Sequence, residues 1–181
     1  ALARGGFYGA GTPAAPLEHG ETYLGAALGF IGIKPEFIIA EGVALGNEAW
    51  TAAVDAARSA GVRHIVKQTV MGAQKEDYSL ALVHRPVEQA IEASGMEWTF
   101  LRPNSFMQNV MTFMSPTILA ESAFYSASGE ARISHVDVRD IAAVAVQALL
   151  RPEHAGHAYT LTGPDAFTYD ELAGTLASAV G

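Results

Sequence analysis

Residues 47–69 read N-E-A-W-T-A-A-V-D-A-A-R-S-A-G-V-R-H-I-V-K-Q-T, and this stretch decides the fold. Its first part predicts a helix over Asn47–Ala60, and Gly61 follows in the position where helices stop in a left-handed residue. Val62–Thr69 then predicts a strand, and the continuous apolar character of H-I-V suits a strand covered on both faces. Upstream, Glu36–Ala40 (E-F-I-I-A) predicts another such strand. Strand, helix and strand in this order make a right-handed parallel crossover unit.

The same alternation continues outward. Strands are expected at Glu97–Leu101 and Ala158–Thr162, with weaker candidates at Ala123–Ser126 and Arg132–His135. Helices are expected at His19–Phe30, at Leu82–Ser94 with Pro86 near its first turn, and at Asn104–Leu119 with a break near Pro116. Two more follow: Val138–Leu150, with Asp137 as its N-cap, and Tyr169–Val180, where Thr168 and Glu171 form a capping box. Gly95 is a second helix stop. The fold class read from this alternation is α/β, a mainly parallel sheet flanked by helices. The turn-rich loop Gly5–Pro16 precedes these elements.

Composition narrows the function classes. The 181 residues suit one compact unit able to bury roughly 70% of its unfolded surface. There is no cysteine, which excludes a disulfide scaffold, a thiolate metal site and a cysteine nucleophile. Eleven Lys and Arg against nineteen Asp and Glu give a net charge of −8, so neither nucleic acid nor an anionic membrane is expected as partner. No apolar run reaches the ~18–20 residues of a membrane span, and a cytoplasmic location is expected. The chain opens at Ala1 without an initiator Met, which reads as an entry partway through a longer sequence.

Several catalytic signatures are missing. Gly9–Ala14 (G-A-G-T-P-A) matches the dinucleotide fingerprint in letters, but no full strand precedes it, and Pro13 and Pro16 forbid the helix that would hold a pyrophosphate. No tyrosine has a lysine four residues later, and no G-x-S-x-G elbow occurs. His154 and His157 stand three apart after Arg151 and Pro152, without a third ligand at zinc geometry. They read as solvated loop residues, and no metal is expected.

Leu101–Asn109 (L-R-P-N-S-F-M-Q-N) follows an apolar strand and opens a helix, the place where doubly wound sheets bind ligands. Arg102 would stand at that rim, Pro103 would fix the turn, and Asn104 or Ser105 would cap the helix. Phe106 and Met107 would form an apolar wall, with Asn109 offering an amide. The plain alternative is a strand–helix junction with Phe106 and Met107 in the core. Thr69 ends the neighbouring strand at the same rim, while His64 is a packed or surface residue. His84 could exchange protons near neutral pH, or be a surface histidine at a helix start. Asp137 and Asp140 combine a helix cap with a pairing to Arg139.

From about Val54 to Gly181 the chain resembles the NmrA-like, atypical short-chain dehydrogenases, including the small NAD(P)H:quinone oxidoreductase-like members. The resemblance rests on D-A-A-R-S-A-G-V-R-H-I-V-K-Q-T-V-M-G-A (Asp55–Ala73), E-W-T-F-L-R-P-N-S-F-M-Q-N (Glu97–Asn109), H-V-D-V-R-D-I-A-A-V-A (His135–Ala145) and Y-T-L-T-G-P-D-A-F-T-Y-D-E-L-A (Tyr159–Ala173). It implies a partial Rossmann-like parallel sheet flanked by helices, lacking the N-terminal nucleotide-binding strands, that binds NAD(P)H, with Thr69, Val70, Arg102, Pro103, Asn104 and Phe106 flanking the nicotinamide and substrate. Reductases of the group carry a lysine before the next helix; here that position is His84, the candidate general acid.

Residues 1–49 resemble instead the C-terminal half of FMN-dependent NADH-azoreductases, which are flavodoxin-like. The matching stretches are A-R-G-G-F-Y (Ala3–Tyr8), H-G-E-T-Y-L (His19–Leu24), L-G-F-I-G-I (Leu28–Ile33) and A-E-G-V-A-L-G (Ala40–Gly46). This implies a flavin contact at Ala3, Arg4, Gly5 and Gly6. The two resemblances together imply a join near Asn47–Ala60, with segments 1–49 and 50–181 forming one compact unit.

Three functions follow as expectations. The first is NAD(P)H-dependent hydride transfer to a quinone-like small acceptor, in a possible homo-oligomer. The second is a non-catalytic NAD(P)-binding or regulatory remnant, since the glycine-rich cofactor loop is missing and turnover by this chain alone is not expected. The third is an FMN-dependent azoreductase or quinone reductase.

Overall fold

The computed structural model describes residues 2–3, 39–40 and 47–180. Strand β1 (Leu2–Ala3) pairs in parallel with β2 (Ile39–Ala40). Helix α1 (Asn47–Ser59) leads through Gly61 to strand β3 (His64–Gln68). Gly61 has φ +79°, and the Val62 amide behind it returns to the Ala57 carbonyl at 3.0 Å, closing the helix end as expected. A 3₁₀ turn (Ala73–Lys75) precedes α2 (Ser79–Ala93), which packs back over strand β4 (Glu97–Pro103). A helical segment with a π-turn at Val110–Met114 runs into α3 (Ser115–Glu121). Helix α4 (Val138–Leu150), strand β5 (His157–Leu161) and helix α5 (Tyr169–Val180) complete the order.

β3, β4 and β5 form a three-stranded parallel sheet in that order, with His64 opposite Glu97 and Thr99 opposite His157. Strand alternation sends Ile65, Trp98 and Phe100 to one face, where they pack with Trp50 and Val54 of α1 and Val87 and Ile91 of α2. Val66, Leu101, Tyr159 and Leu161 go to the other face, against Val136, Ile141 and Val144. The parallel sheet flanked by helices is the predicted class. Among the described residues no helix is long and apolar enough to cross a membrane.

Several local expectations are corrected. β2 is hydrogen-bonded to β1 and lies outside the β3–β5 sheet, so the expected β2–α1–β3 unit is not closed by ladder bonds among the described residues. β4 runs two residues past Leu101, because Met71 donates its amide to the Pro103 carbonyl (2.9 Å) and Asn104 donates to Leu161 (2.9 Å). α2 begins three residues before Leu82, which places Pro86 in its interior rather than its first turn. Burial of Ala81, Val87, Glu88 and Ile91 on one face offsets the amide that Pro86 lacks. Asn104 and Ser105 cap no helix. Pro116 lies at the start of α3, and the Ser115 amide just before it reaches back five residues to Val110. The wide turn absorbs the proline instead of breaking the helix. Ala123–Ser126 is irregular, and Arg132–His135 contributes only an isolated bridge from Ile133 to Phe167. His19–Phe30 and the Gly5–Pro16 loop lie outside the described residues.

Both predicted caps are present. Asp137 accepts the Arg139 amide at 2.8 Å and the Arg139 Nη2 at 2.6 Å, and these bonds hold its carboxyl well below the usual range. The pairing is a helix cap at an exposed surface, and Asp140 occupies the first turn beside it. The Thr168 amide donates to Glu171 Oε2 (2.9 Å) and the Glu171 amide to Thr168 Oγ1 (3.2 Å), the reciprocal bonds of a capping box.

Candidate functional site

The C-terminal edge of the β3–β5 sheet is assembled from three loops: 69–72 after β3, 104–107 after β4 and 133–136 ahead of α4. They are stitched together by main-chain bonds. The Thr69 amide donates to Leu101 (2.7 Å), the Val136 amide to Ser105 (2.9 Å) and the Met107 amide to Val136 (3.0 Å). Asn104 Nδ2 donates to the Ser134 carbonyl at 3.1 Å, so its amide ties two loops rather than capping a helix. Tyr78 Oη donates to the Met71 carbonyl and fixes the loop that leads into α2. Gly163 closes the edge from β5. A Cβ placed there would lie 2.0 Å from the His135 carbonyl oxygen, so only glycine lets the two backbones approach. His135 is buried, and its ring stacks on Phe167 at 5.0 Å.

Val70 and Phe106, both half-buried, supply apolar surface at this edge, whereas Pro103 is fully buried beneath it. Met107 is exposed rather than in the core. Arg102 behaves differently from the expectation. It alternates with Phe100 onto the α1/α2 face, where Nε meets Glu88 Oε1 at 3.0 Å and Nη2 meets Glu88 Oε2 at 2.7 Å. The guanidinium is 13% exposed and the Glu88 side chain fully buried, so Arg102 serves α2 and does not stand free at the rim. The sequence reading missed this because β4 extends through Arg102, which fixes its face.

Thr69 is likewise turned inward. Its hydroxyl is buried and faces the Glu88 carboxylate without reaching hydrogen-bond geometry, the one buried side-chain polar atom among the described residues left so. Burial pushes the Glu88 carboxyl up, but the Arg102 bonds, with help from Arg85, outweigh it, and the acid lies below its ordinary value. Arg85 Nη1 bridges Glu88 (3.0 Å) and Glu92 (2.9 Å).

His84 lies one turn before Glu88 on α2, half-buried. Burial first, and then the positive charge of Lys67, push its pKa down to about 4. At neutral pH it is therefore a neutral ring, able to donate or accept a hydrogen bond but not stored as an acid. Lys67 is itself pushed down to about 8 by burial, against the pull of Glu88. Lys67 and Glu88 were not singled out from sequence; the signal available was a charged residue in each of two otherwise apolar patterns, K in H-I-V-K-Q and E in V-E-Q-A-I.

At the opposite edge an open cleft of about 680 Å³ is lined by Arg63, His64, Met96, Glu97, Leu149 and Pro152. His64 Nε2 lies 2.9 Å from Thr99 Oγ1, which donates to the His154 carbonyl (2.7 Å). His154 Nδ1 lies 2.9 Å from Tyr159 Oη, and the His157 Nδ1 donates to Ala155 (2.9 Å). These histidines lock the N-terminal ends of the strands, whereas ligands of parallel sheets bind beyond the carboxyl ends. Ala3 lies in β1; Arg4, Gly5 and Gly6 lie outside the described residues.

A family model described as NAD(P)H-binding matches residues 37–152, which take in strands β3 and β4, the three edge loops and all of α4.

The chain belongs to the NAD(P)H-binding family.

The match starts seventeen residues ahead of the resemblance read from sequence and takes in Phe37–Ala40, four of the five residues of the strand expected at Glu36–Ala40. The NAD(P)H azoreductase of Xenophilus azovorans is 39% identical over 176 residues, covering 96% of this chain and 59% of that protein. The NADPH-dependent quinone oxidoreductase of Escherichia coli, solved with NADPH, superposes with TM-score 0.66 at 25% identity, covering 86% of this chain and 62% of that one. The FMN-dependent NADH:quinone oxidoreductase of Xanthomonas campestris pv. campestris is 58% identical over 60 residues, 33% of this chain and 29% of that protein. Both resemblances read from the residues, to atypical short-chain dehydrogenases and to FMN-dependent oxidoreductases, are thus matched by relatives. The chain spans about three fifths of the length of the azoreductase.

Proposed function

We infer that the chain is part of an NAD(P)H-dependent oxidoreductase that passes hydride to a quinone-like small acceptor. The observation that carries the reading is the NAD(P)H-binding match itself, 37–152, a span that takes in all three loops of the C-terminal edge of the sheet. The names of the E. coli and Xenophilus relatives support a quinone or azo dye as acceptor.

The residues at the edge fit a nicotinamide ring: half-buried Val70 and Phe106 give an apolar wall, and the Asn104–Ser134 tie keeps that wall in register. Bound NAD(P)H would supply the hydride. The chain's own part is to exclude water with that wall and to offer His84 as a neutral hydrogen-bonding group for an acceptor oxygen. His84 does not act as a stored acid in this scheme, because its ring is uncharged above about pH 4. A cytoplasmic, FMN-free protein is the form proposed; the segment shared with FMN-dependent enzymes supports flavin binding as the second reading.

Titration of the chain with NADPH, NADH and FMN, followed by the fluorescence of Trp50 and Trp98, tests the reading. Saturable dinucleotide binding supports it, with menadione reduction at 340 nm as the activity readout. Absence of dinucleotide binding sinks it, and yellow flavin retained through purification favours the FMN reading.

A further inference from the structure

The turn from β3 into α2, residues 70–78, is held in a shape that its sequence does not favour locally. Gly72 (φ +78°) and Glu76 (φ +54°) both take the left-handed conformation, which a glutamate adopts only at a cost. The Ala73 amide returns to Val70 (3.1 Å) and the Lys75 amide to Gly72 (2.9 Å), winding the turn tightly. One side chain then ties the turn to the sheet edge. Tyr78 Oη donates to the Met71 carbonyl, and the Met71 amide donates to the carbonyl of Pro103, the last residue of β4, at 2.9 Å.

Tyr78 is therefore fixed at both ends, by its backbone at the start of α2 and by its hydroxyl on the loop beyond β4. Its ring lies across Gly72, where a Cβ would stand 3.7 Å from Tyr78 Cε1. Even so, Tyr78 stays 38% exposed, as do 39% of Met71 and, on loop 104–107, 40% of Met107. A ring fixed in this way has already lost its rotamer freedom, so a flat ligand laid on it needs little further ordering. The phenol proton is engaged by Met71, which leaves the π face, rather than the hydroxyl proton, as what Tyr78 offers. Charge narrows the ligand. Arg102 and Arg85 are taken up by Glu88, and the turn itself carries Glu76 and Asp77 against Lys75, a balance that disfavours an anion.

We propose that Tyr78 is a specificity-determining residue of the acceptor site, its pinned ring giving a stacking face to a flat, uncharged aromatic acceptor. The role rests on the oxidoreductase reading, but stacking on Tyr78 is measurable without cofactor or turnover.

The test is titration of the cofactor-free chain with menadione, read on the tyrosine ring resonances by NMR, with Tyr78 assigned by its loss in Tyr78→Phe. Saturable movement of the Tyr78 signals is expected, while Tyr159, bonded to His154 towards the other end of the sheet, stays still. In equilibrium dialysis Tyr78→Leu should raise the menadione Kd about tenfold and leave the NADPH Kd unchanged. Tyr78→Phe, which keeps the ring, should lose less, and a naphthoquinone sulfonate should bind wild type more weakly than menadione. Tyr78 signals that stay still up to the solubility limit of menadione overturn the proposal. So does an equal loss in Tyr78→Phe and Tyr78→Leu with the NADPH Kd raised alongside, the mark of a purely structural pin. Tyr78 signals that move with chain concentration in the absence of menadione assign the face to a second copy and overturn it too. The ring signals are read on wild type, so the proposal can be judged even if Tyr78→Leu fails to fold. Menadione stacking on a chain that binds no NAD(P)H sustains the site and removes the oxidoreductase reading, whereas NADPH binding with Tyr78 indifferent to menadione removes the site and keeps that reading.

Discussion

Arg102 of β4 and Glu88 of α2, fourteen residues apart in sequence, meet in a two-point fork with Glu88 fully buried. Such a pair is costly to half-remove, since the surviving charge stays desolvated. Arg102→Ala is expected to destabilise the chain by about 3 kcal/mol, and Glu88→Ala by about 3–5 kcal/mol, in urea unfolding. Arg102→Lys should recover little, because an ammonium cannot reproduce the fork. A wild-type midpoint for Arg102→Ala would contradict the pairing.

Gly163 gives an independent prediction at the sheet edge. A methyl group there would lie 2.0 Å from the His135 carbonyl, a backbone-to-backbone clash that rotamer changes cannot relieve. Gly163→Ala should cost about 1–3 kcal/mol or more in thermal unfolding, as overpacking does. It should also disturb the 133–136 loop, seen as shifts of the Asn104 side-chain amide. An unchanged melting temperature would show that the two loop backbones can separate at no cost.

Stability should depend on pH through Lys67. Its folded value, about 8, lies below the ordinary 10.5. Between these values the unfolded chain holds the proton and the folded chain does not, so stability rises with pH across that window. The gain over Lys67→Met should reach about 3 kcal/mol at most. His84 works in the same direction at lower pH: its depressed value means that stability falls as pH drops from 6.5 towards 4. Chemical denaturation at pH 7, 8, 9 and 10 on both proteins measures the Lys67 part. A flat difference would mean that the lysine is solvated.

The capping box of α5 is a smaller, local effect. Thr168→Ala removes the acceptor for the Glu171 amide and leaves the helix start short of one bond. A loss of about 1 kcal/mol in thermal unfolding is expected. No loss would indicate that the helix end frays in solution.

What was legible in the sequence follows from local chemistry. Gly61, Gly95, Asp137 and the Thr168–Glu171 pair mark helix ends because capping needs only residues a few positions apart. The apolar strands were visible for the same reason, and the family was legible from four ordered stretches. The orientation of Arg102 was not legible. It depends on β4 continuing through Pro103, which rests on bonds to Met71 and Leu161 from distant loops. The α2 start was missed because Tyr78, its first flanking residue, caps with no side chain and is fixed instead by its hydroxyl to Met71. Lys67, Glu88 and His84 meet only once the rotational phase of α2 over β3 is known, and sequence spacing within either element carries no information on that phase.

The most direct test of the account maps NADPH onto the folded chain by backbone amide chemical shifts. Shifts are expected to saturate at Val70, Met71, Asn104, Ser105 and Val136, the loops at the C-terminal edge. His64, Glu97 and His157, at the other ends of the same three strands, should stay still. Shifts confined to the cleft around Arg63 and Met96, or none at millimolar NADPH, would contradict it.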